Sequence, residues 1–129
     1  MTSWGIVSTI RAPQRAVLDF AAWHLELGAR RLFLHLDVPD EATFAILKRH
    51  PRIRPQITDA AYWKAEGKVR PRKHQPRQTF NATRTYARRA DVDWLCHLDV
   101  DEFLIPAAPV DGILEALPGD CHVARIRPM

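Results

Sequence analysis

"WLCHLDVDEFL", residues 94–104, is a short apolar run that ends in three acids, Asp99, Asp101 and Glu102. A run of this length and composition predicts a buried strand. A carboxylate at the end of such a strand is costly to desolvate unless something pairs with it. Which groups meet these acids, and what else shares their edge of the fold, decides how the rest of the chain is read.

Working outward, the same kind of punctuation recurs. "WGIVSTI" (4–10) is short, β-branched and bounded by Pro13, and predicts a strand. "QRAVLDFAAWHLELGA" (14–29) predicts a helix, with Val17, Leu18, Ala21, Ala22 and Leu25 at helical spacing, Pro13 at its first turn and Gly28 at its end. "RLFLHLDV" (31–38) predicts a second strand, closed by Pro39. "EATFAILKRH" (41–50) predicts a helix capped by Asp40. "RIRPQIT" (52–58) predicts a weaker third strand that Pro55 pushes to a sheet edge. Residues 59–76 are polar, basic and without periodicity. "RQTFNATRTYARRA" (77–90) predicts a third helix, and "DWLCHLDVDEFLI" (93–105) the fourth strand. A short helix over 110–118 and a last strand, "CHVARIRP" (121–128), complete the expected elements.

This alternation predicts one α/β domain spanning 1–129, built on a mostly parallel sheet with right-handed crossovers. Open parallel sheets bind ligands at the carboxyl ends of their strands. Asp37 ends the second strand and Asp99 the fourth, so both acids are expected on that edge.

Composition narrows the function. An apolar fraction of 47% in 129 residues supports a packed core and argues against disorder. No segment has the length and apolarity of a membrane span, and the start lacks a signal-peptide layout. Two cysteines, Cys96 and Cys121, make no disulfide framework and no CxxC zinc pair, so a cytoplasmic location is expected. A net charge of +4 and a pI near 9.5 favour anionic ligands without choosing among them.

Asp99 and Asp101 are two apart, so on an extended segment they point to the same side. Neighbouring carboxylates repel unless a cation intervenes. Mg²⁺ or Mn²⁺ prefers oxygen ligands and commonly takes one or two carboxylates plus substrate phosphates. The competing reading is an acidic turn in which Asp101 or Glu102 caps the next element. The apolar residues on both sides of the acids, with Phe103-Leu104-Ile105 after them, weigh against a purely solvated loop. A calcium EF-hand would need glycine where Leu104 stands. An aspartyl-phosphatase of the haloacid-dehalogenase type would need a large catalytic body after the strand.

The stretch resembles the DxD strand of family 2-type glycosyltransferases with a GT-A fold, in the bacterial branch with a DxDEF motif. The resemblance extends to "STIRAP" at the end of the first strand. It also covers Trp23, His24, Gly28 and Asp37 in "LDFAAWHLELGARRLFLHLD", and Gln78 and Asn81 in the helix before the DxD strand. Two departures stand out: Ala12-Pro13 where many relatives have Asn-Glu, and "DVPDEAT" where many have an acidic, serine-rich loop.

The resemblance implies a three-layer α/β/α fold binding a nucleotide-sugar, UDP-linked, with Mn²⁺ or Mg²⁺. Thr9, Ile10 and Arg11 would line the nucleotide pocket. Asp37 would hold base or ribose. Gln78 and Asn81 would reach the nucleotide or brace the DxD loop. Asp99 would face ribose or metal, and Asp101 would bind the metal. The implied reaction is inverting transfer to a glycan, lipid or polysaccharide acceptor, with the protein peripheral at the inner membrane face. The general base would lie downstream in such relatives, so this stretch corresponds to their nucleotide-binding half. That predicts donor binding with little transfer, unless Glu102 or Asp111 serves as base, and self-association along the sheet edge beyond 121–128. A non-catalytic nucleotide-binding domain and a metal-dependent nucleotidyltransferase stay open as alternatives. No nucleic-acid partner is expected, because the basic run 68–77 lacks interleaved aromatics and reads as a solvated loop. His24, His35 and His97 read as packing residues, Cys96 as a small hydrophobe in a buried strand, and Trp23, Trp63 and Trp94 as core.

Overall fold

The structure, a computed structural model, describes residues 2–88 and 90–129. Four parallel strands form one sheet in the order β3-β2-β1-β4: β1 (Trp4–Ile10), β2 (Arg31–Leu36), β3 (Ile53–Ile57) and β4 (Trp94–His97). Helices α1 (Gln14–Glu26) and α2 (Glu41–Lys48) follow β1 and β2. Helices α3 (Ala60–Ala65) and α4 (His74–Ala87) lie between β3 and β4, and α5 (Val110–Glu115) comes last. The chain steps from β1 outward to β3, then returns to the far side of β1 for β4. Right-handed crossovers therefore put α1 and α2 on one face and α3 and α4 on the other.

Side-chain alternation along β1 and β2 builds two different interfaces. Trp4, Ile6 and Ile10, with Leu32, Leu34 and Leu36, join Val17, Phe20 and Ala21 of α1 and Leu47 of α2 in one apolar cluster. The other face carries Gly5, Val7, Thr9, Phe33 and His35. There Tyr62 of α3 meets His35 edge-on, and Asn81 of α4 bonds Thr9. Gly5 has a packing reason: a Cβ there would sit 2.8 Å from the Arg31 carbonyl oxygen and 3.2 Å from Val92.

Several boundaries differ from expectation for local reasons. Helix α1 stops at Glu26, and Gly28 adopts φ +104°, a turn conformation that glycine takes without strain. Ala22, expected on the buried face, is exposed, and Phe20 and His24 are buried there instead. The aperiodic segment 59–76 contains α3, whose six residues are too few to show a period. Asp59 caps it by accepting from the Tyr62 amide, and Tyr62 and Trp63 are its buried residues. Helix α4 starts at His74, before residue 77. Residues 121–128 form no strand. They run irregularly along the outer side of β4, with Val123 and Ile126 exposed, because no main-chain ladder forms beside them. β4 is accordingly an outer strand and Cys96 is only half-buried. Burial, helped by the charge of Glu102, pushes its thiol up to about 11. Trp63 is core, whereas Trp23 is 45% exposed. Pro55 does lie on an edge strand, as its missing N–H requires.

Candidate functional site

In this sheet the strand order reverses between β1 and β4, and open α/β sheets bind ligands at the carboxyl end of such a reversal. An open cleft of about 730 Å³ lies there. Thr9 and Arg11 come to it from the end of β1, Asp99 and Asp101 from the segment after β4, and His74 and Arg77 from the start of α4. Four of the residues expected at a ligand site, Thr9, Arg11, Asp99 and Asp101, thus share one cavity. Ile10 does not. It is buried against a neighbouring depression between the ends of β1 and β2, and residues 11–13 form the wall between the two.

The acids do not continue an extended strand. β4 ends at His97, and Asp99–Glu102 forms a turn. The Glu102 amide donates to the Asp99 carbonyl at 3.0 Å, and the Asp99 amide donates to Glu102 Oε1 at 2.7 Å. Glu102 is therefore the residue that closes the turn. The expected same-side geometry of an extended DxD is replaced by two exposed carboxylates on a turn at the cleft. Among the described residues no group of three or more His, Cys, Asp or Glu side chains could hold a metal ion. The donor set fits a hard cation only in the form that takes one or two carboxylates, with the remaining oxygens from phosphate and water.

Helix α1 fixes the far end of this turn. Trp23 Nε1–H donates to the Leu104 carbonyl at 2.8 Å. The Leu104 amide donates to His24 Nε2 at 3.2 Å. His24 must then carry its proton on Nδ1, which reaches the Phe20 carbonyl at 2.8 Å. Phe103 stacks on the His24 ring and meets Phe20 and Trp23 edge-on. Burial lowers the His24 pKa, partly opposed by the bond to Phe20, and so favours the neutral imidazole that this pattern needs. Burial likewise lowers His97, which faces Asp99, Glu102 and His74.

Asp37 departs most from its expected role. Its side chain is fully buried, and Arg77 grips it with Nε to Oδ1 and Nη2 to Oδ2, both at 2.9 Å. Arg70 and His74 lie 3.5 and 3.7 Å from Oδ2. The remaining terminal nitrogen of Arg77 donates to the Pro71 and Arg72 carbonyls. Asp37 therefore anchors the loop before α4, and its oxygens face guanidinium groups where a base or ribose was expected. Asn81 also braces the fold. Fully buried, it donates to Thr9 Oγ1 at 3.0 Å and accepts from Tyr62 Oη at 2.7 Å, tying α4 and α3 to the end of β1. Gln78 is half-buried and does not line the cleft.

Arg77, His74, Glu102 and the Trp23–His24 pair were not singled out for these positions by sequence reasoning. One signal was present for Arg77: a carboxylate at the end of a buried strand demands a cation, and the basic run 68–77 is rich in them. Comparison with protein-family models, with curated proteins and with solved structures finds no match to this chain.

Proposed function

We propose that the β1–β4 cleft binds a nucleotide-sugar, UDP-linked, as the donor site of a glycosyltransferase acting on a glycan, lipid or polysaccharide acceptor. One observation carries the reading: Asp99 and Asp101 share a cleft with Thr9, Arg11, His74 and Arg77 at the ligand edge of a parallel sheet. The mix of signs suits a diphosphate, with cations for its oxygens and carboxylates for an ion bridging to them. Asp101 would hold Mn²⁺ or Mg²⁺ directly, and Asp99 directly or through water. When bound, such an ion neutralises charge gathering on a departing diphosphate. Arg11 supplies an exposed cation for the same oxygens. Thr9, held by Asn81, offers a hydroxyl of fixed direction. Trp23 and His24 hold the acidic turn in place. A second reading, nucleotide binding without turnover, draws on Asp37: the carboxylate expected to read base or ribose is held by Arg77.

Calorimetry with a panel of UDP-sugars, in Mn²⁺ and in chelator, tests this. Affinity should rise with the metal, and Asp101→Ala should remove that rise. Equal affinity in both conditions would sink the metal role and with it the donor site. Metal-dependent binding without any donor hydrolysis selects the second reading.

A further inference from the structure

A second concave surface lies on the α3/α4 face of the sheet and shares no residue with the cleft. It is a groove of about 590 Å³ over β2 and β3, within the size range of small-ligand sites. The cleft uses the start of α4, His74 and Arg77, whereas this groove uses the end from Arg84 on, roughly 10 Å further along the helix. Arg31 comes from the start of β2, Arg54 from β3, Arg84 and Arg88 from the last turns of α4, and Lys48 from the end of α2. Among the described residues the lining sets one carboxylate, Asp91, against these five cations, and Asp91 is bonded to Arg31.

The cations are crowded, and their neighbours register it. Arg84 has its pKa lowered, first by burial and then by the charge of Arg88, with Tyr62 opposing. His35 lines the same groove and is held at about 4, first by burial and next by the charge of Arg84. An anion in the groove would offset the charge–charge part of both effects, the smaller part beside burial. The local carboxylates leave donors for it. Glu66 engages Nε of Arg84 and one terminal nitrogen of Arg88. The terminal nitrogens of Arg84 make no hydrogen bond among the described residues, and the Arg88 side chain is 62% exposed. His35 is 3% exposed; its Nδ1 has no partner of good hydrogen-bond geometry among the described residues, although the Ser8 and Phe33 backbones lie close enough to partly oppose the lowering of its pKa. Buried polar atoms without partners are uncommon in folded proteins and ask for a reason.

We propose that this groove is a binding site for a phosphate ester, gripped by the guanidinium forks of Arg54, Arg84 and Arg88, with His35 as a neutral hydrogen-bonding group on its wall. A planar guanidinium matches phosphate oxygens two at a time. A phosphate or diphosphate carries enough charge to offset several of the cations, which Asp91 and Glu66 together do not. The phosphate can belong to a soluble ester or to a lipid headgroup, and the test has an arm for each.

The probes are inorganic pyrophosphate, titrated in chelator so that no metal-bridged binding in the cleft contributes, and vesicles of phosphatidic acid against phosphatidylcholine. The variants are Arg54→Ala/Arg88→Ala for the groove and, as a charge control, Arg15→Ala, an exposed arginine of α1 outside both concave surfaces, each checked for folding by thermal melt. The groove variant should bind pyrophosphate about tenfold more weakly or worse, and Arg15→Ala should bind it as the parent does. Loss of phosphatidic-acid vesicle binding in the groove variant alone, with no pyrophosphate binding to lose, would support the same site with a lipid-borne phosphate. Pyrophosphate binding untouched by the groove variant overturns the proposal. So does retention on single-stranded DNA with binding of neither phosphate probe.

Discussion

The two faces of the sheet are held by different physics. Under α1 and α2, the leucines of β2 and the alternate residues of β1 meet Val17, Phe20 and Leu47 in a continuous apolar cluster, where burial of area is the driving term. Under α3 and α4, the buried residues include His35 and, tied by directed hydrogen bonds, Thr9, Tyr62, Asn81 and Thr85, with the Asp37–Arg77 pair at the upper end. Ser8 marks the exception on the apolar face, with a buried hydroxyl that has no partner among the described residues. An apolar face tolerates imprecise geometry, because its stabilisation is non-directional. A polar face does not, since each unmade bond inside it carries a desolvation cost. The ligand-edge cleft draws Thr9, His74 and Arg77 from the directed side, and takes from the apolar side Ala16 and Asp19 of α1 and the Trp23–His24 hold on Leu104. Positional precision in this molecule thus comes mainly from the face that is harder to build.

The largest expected effect comes from breaking the polar face at its buried charge. Asp37→Ala leaves Arg77, itself 4% exposed, without its counter-charge and should destabilise the fold by about 3–5 kcal/mol. It should also free the carbonyl-bonded loop at 71–72. The double change Asp37→Leu/Arg77→Met removes both charges and should recover much of that loss, because a buried pair often stabilises little over apolar residues of similar volume. Urea denaturation of the three proteins decides it. A single variant as stable as the parent would mean that Arg77 reaches water, and the contrast between the faces would weaken.

A smaller effect belongs to His35. An imidazole in the unfolded chain titrates near 6.5, whereas His35 in the fold is held at about 4, mainly by burial. Between those values the unfolded state binds more protons, so stability is lost as pH falls from 6.5 towards 4. The loss amounts to on the order of 3 kcal/mol. His24, also lowered by burial, adds in the same direction. His35→Leu should therefore be flatter in stability between pH 7 and 4.5 than the parent. Parallel curves for the two proteins would show that His35 is free to take a proton in the fold.

Legibility in the sequence divides along the same line. The apolar face announces itself by period: Leu32, Leu34 and Leu36 alternate, Val17 and Ala21 recur at helical spacing, and the βα order comes from them. The edge position of β3 was readable from Pro55, and the Asp40 cap of α2 from its type and place. The polar face has no such periodicity. Asp59, Tyr62 and Trp63 organise a helix too short to show a repeat, and Arg77 reaches Asp37 across forty residues of chain. Residues 121–128 illustrate the opposite error, a strand-like composition with no ladder to join. Of the residues that share the cleft, Asp99 was placed at the ligand edge by its strand end, whereas Thr9 and Arg11 were named only through the resemblance. The turn that carries the acids was not, since it depends on Glu102 bonding back to the Asp99 amide.

The smallest effect on stability tests the hold of the apolar-face helix on the acidic turn. Trp23→Phe keeps an aromatic ring beside Phe103 but deletes the indole N–H that donates to the Leu104 carbonyl. Trp23 is 45% exposed, so water can reach the orphaned carbonyl, and the net cost should be only about 1 kcal/mol. Global stability will barely register it. Local opening should, because residues 99–104 are otherwise held by the Glu102 turn bonds, the His24 acceptor and the Phe103 ring contacts. Amide exchange at Phe103 and Leu104 should therefore quicken in the variant, while amides of Ile6 and Leu34 on the central strands stay as protected as before. If the turn carries the metal-linked donor site, UDP affinity in Mn²⁺ should fall with it, and affinity in chelator should not. Unchanged exchange at 103–104 would show that His24 and the Phe103 packing hold the turn alone. His24→Phe would then be the variant that loosens it, because it removes the buried imidazole that accepts from the Leu104 amide.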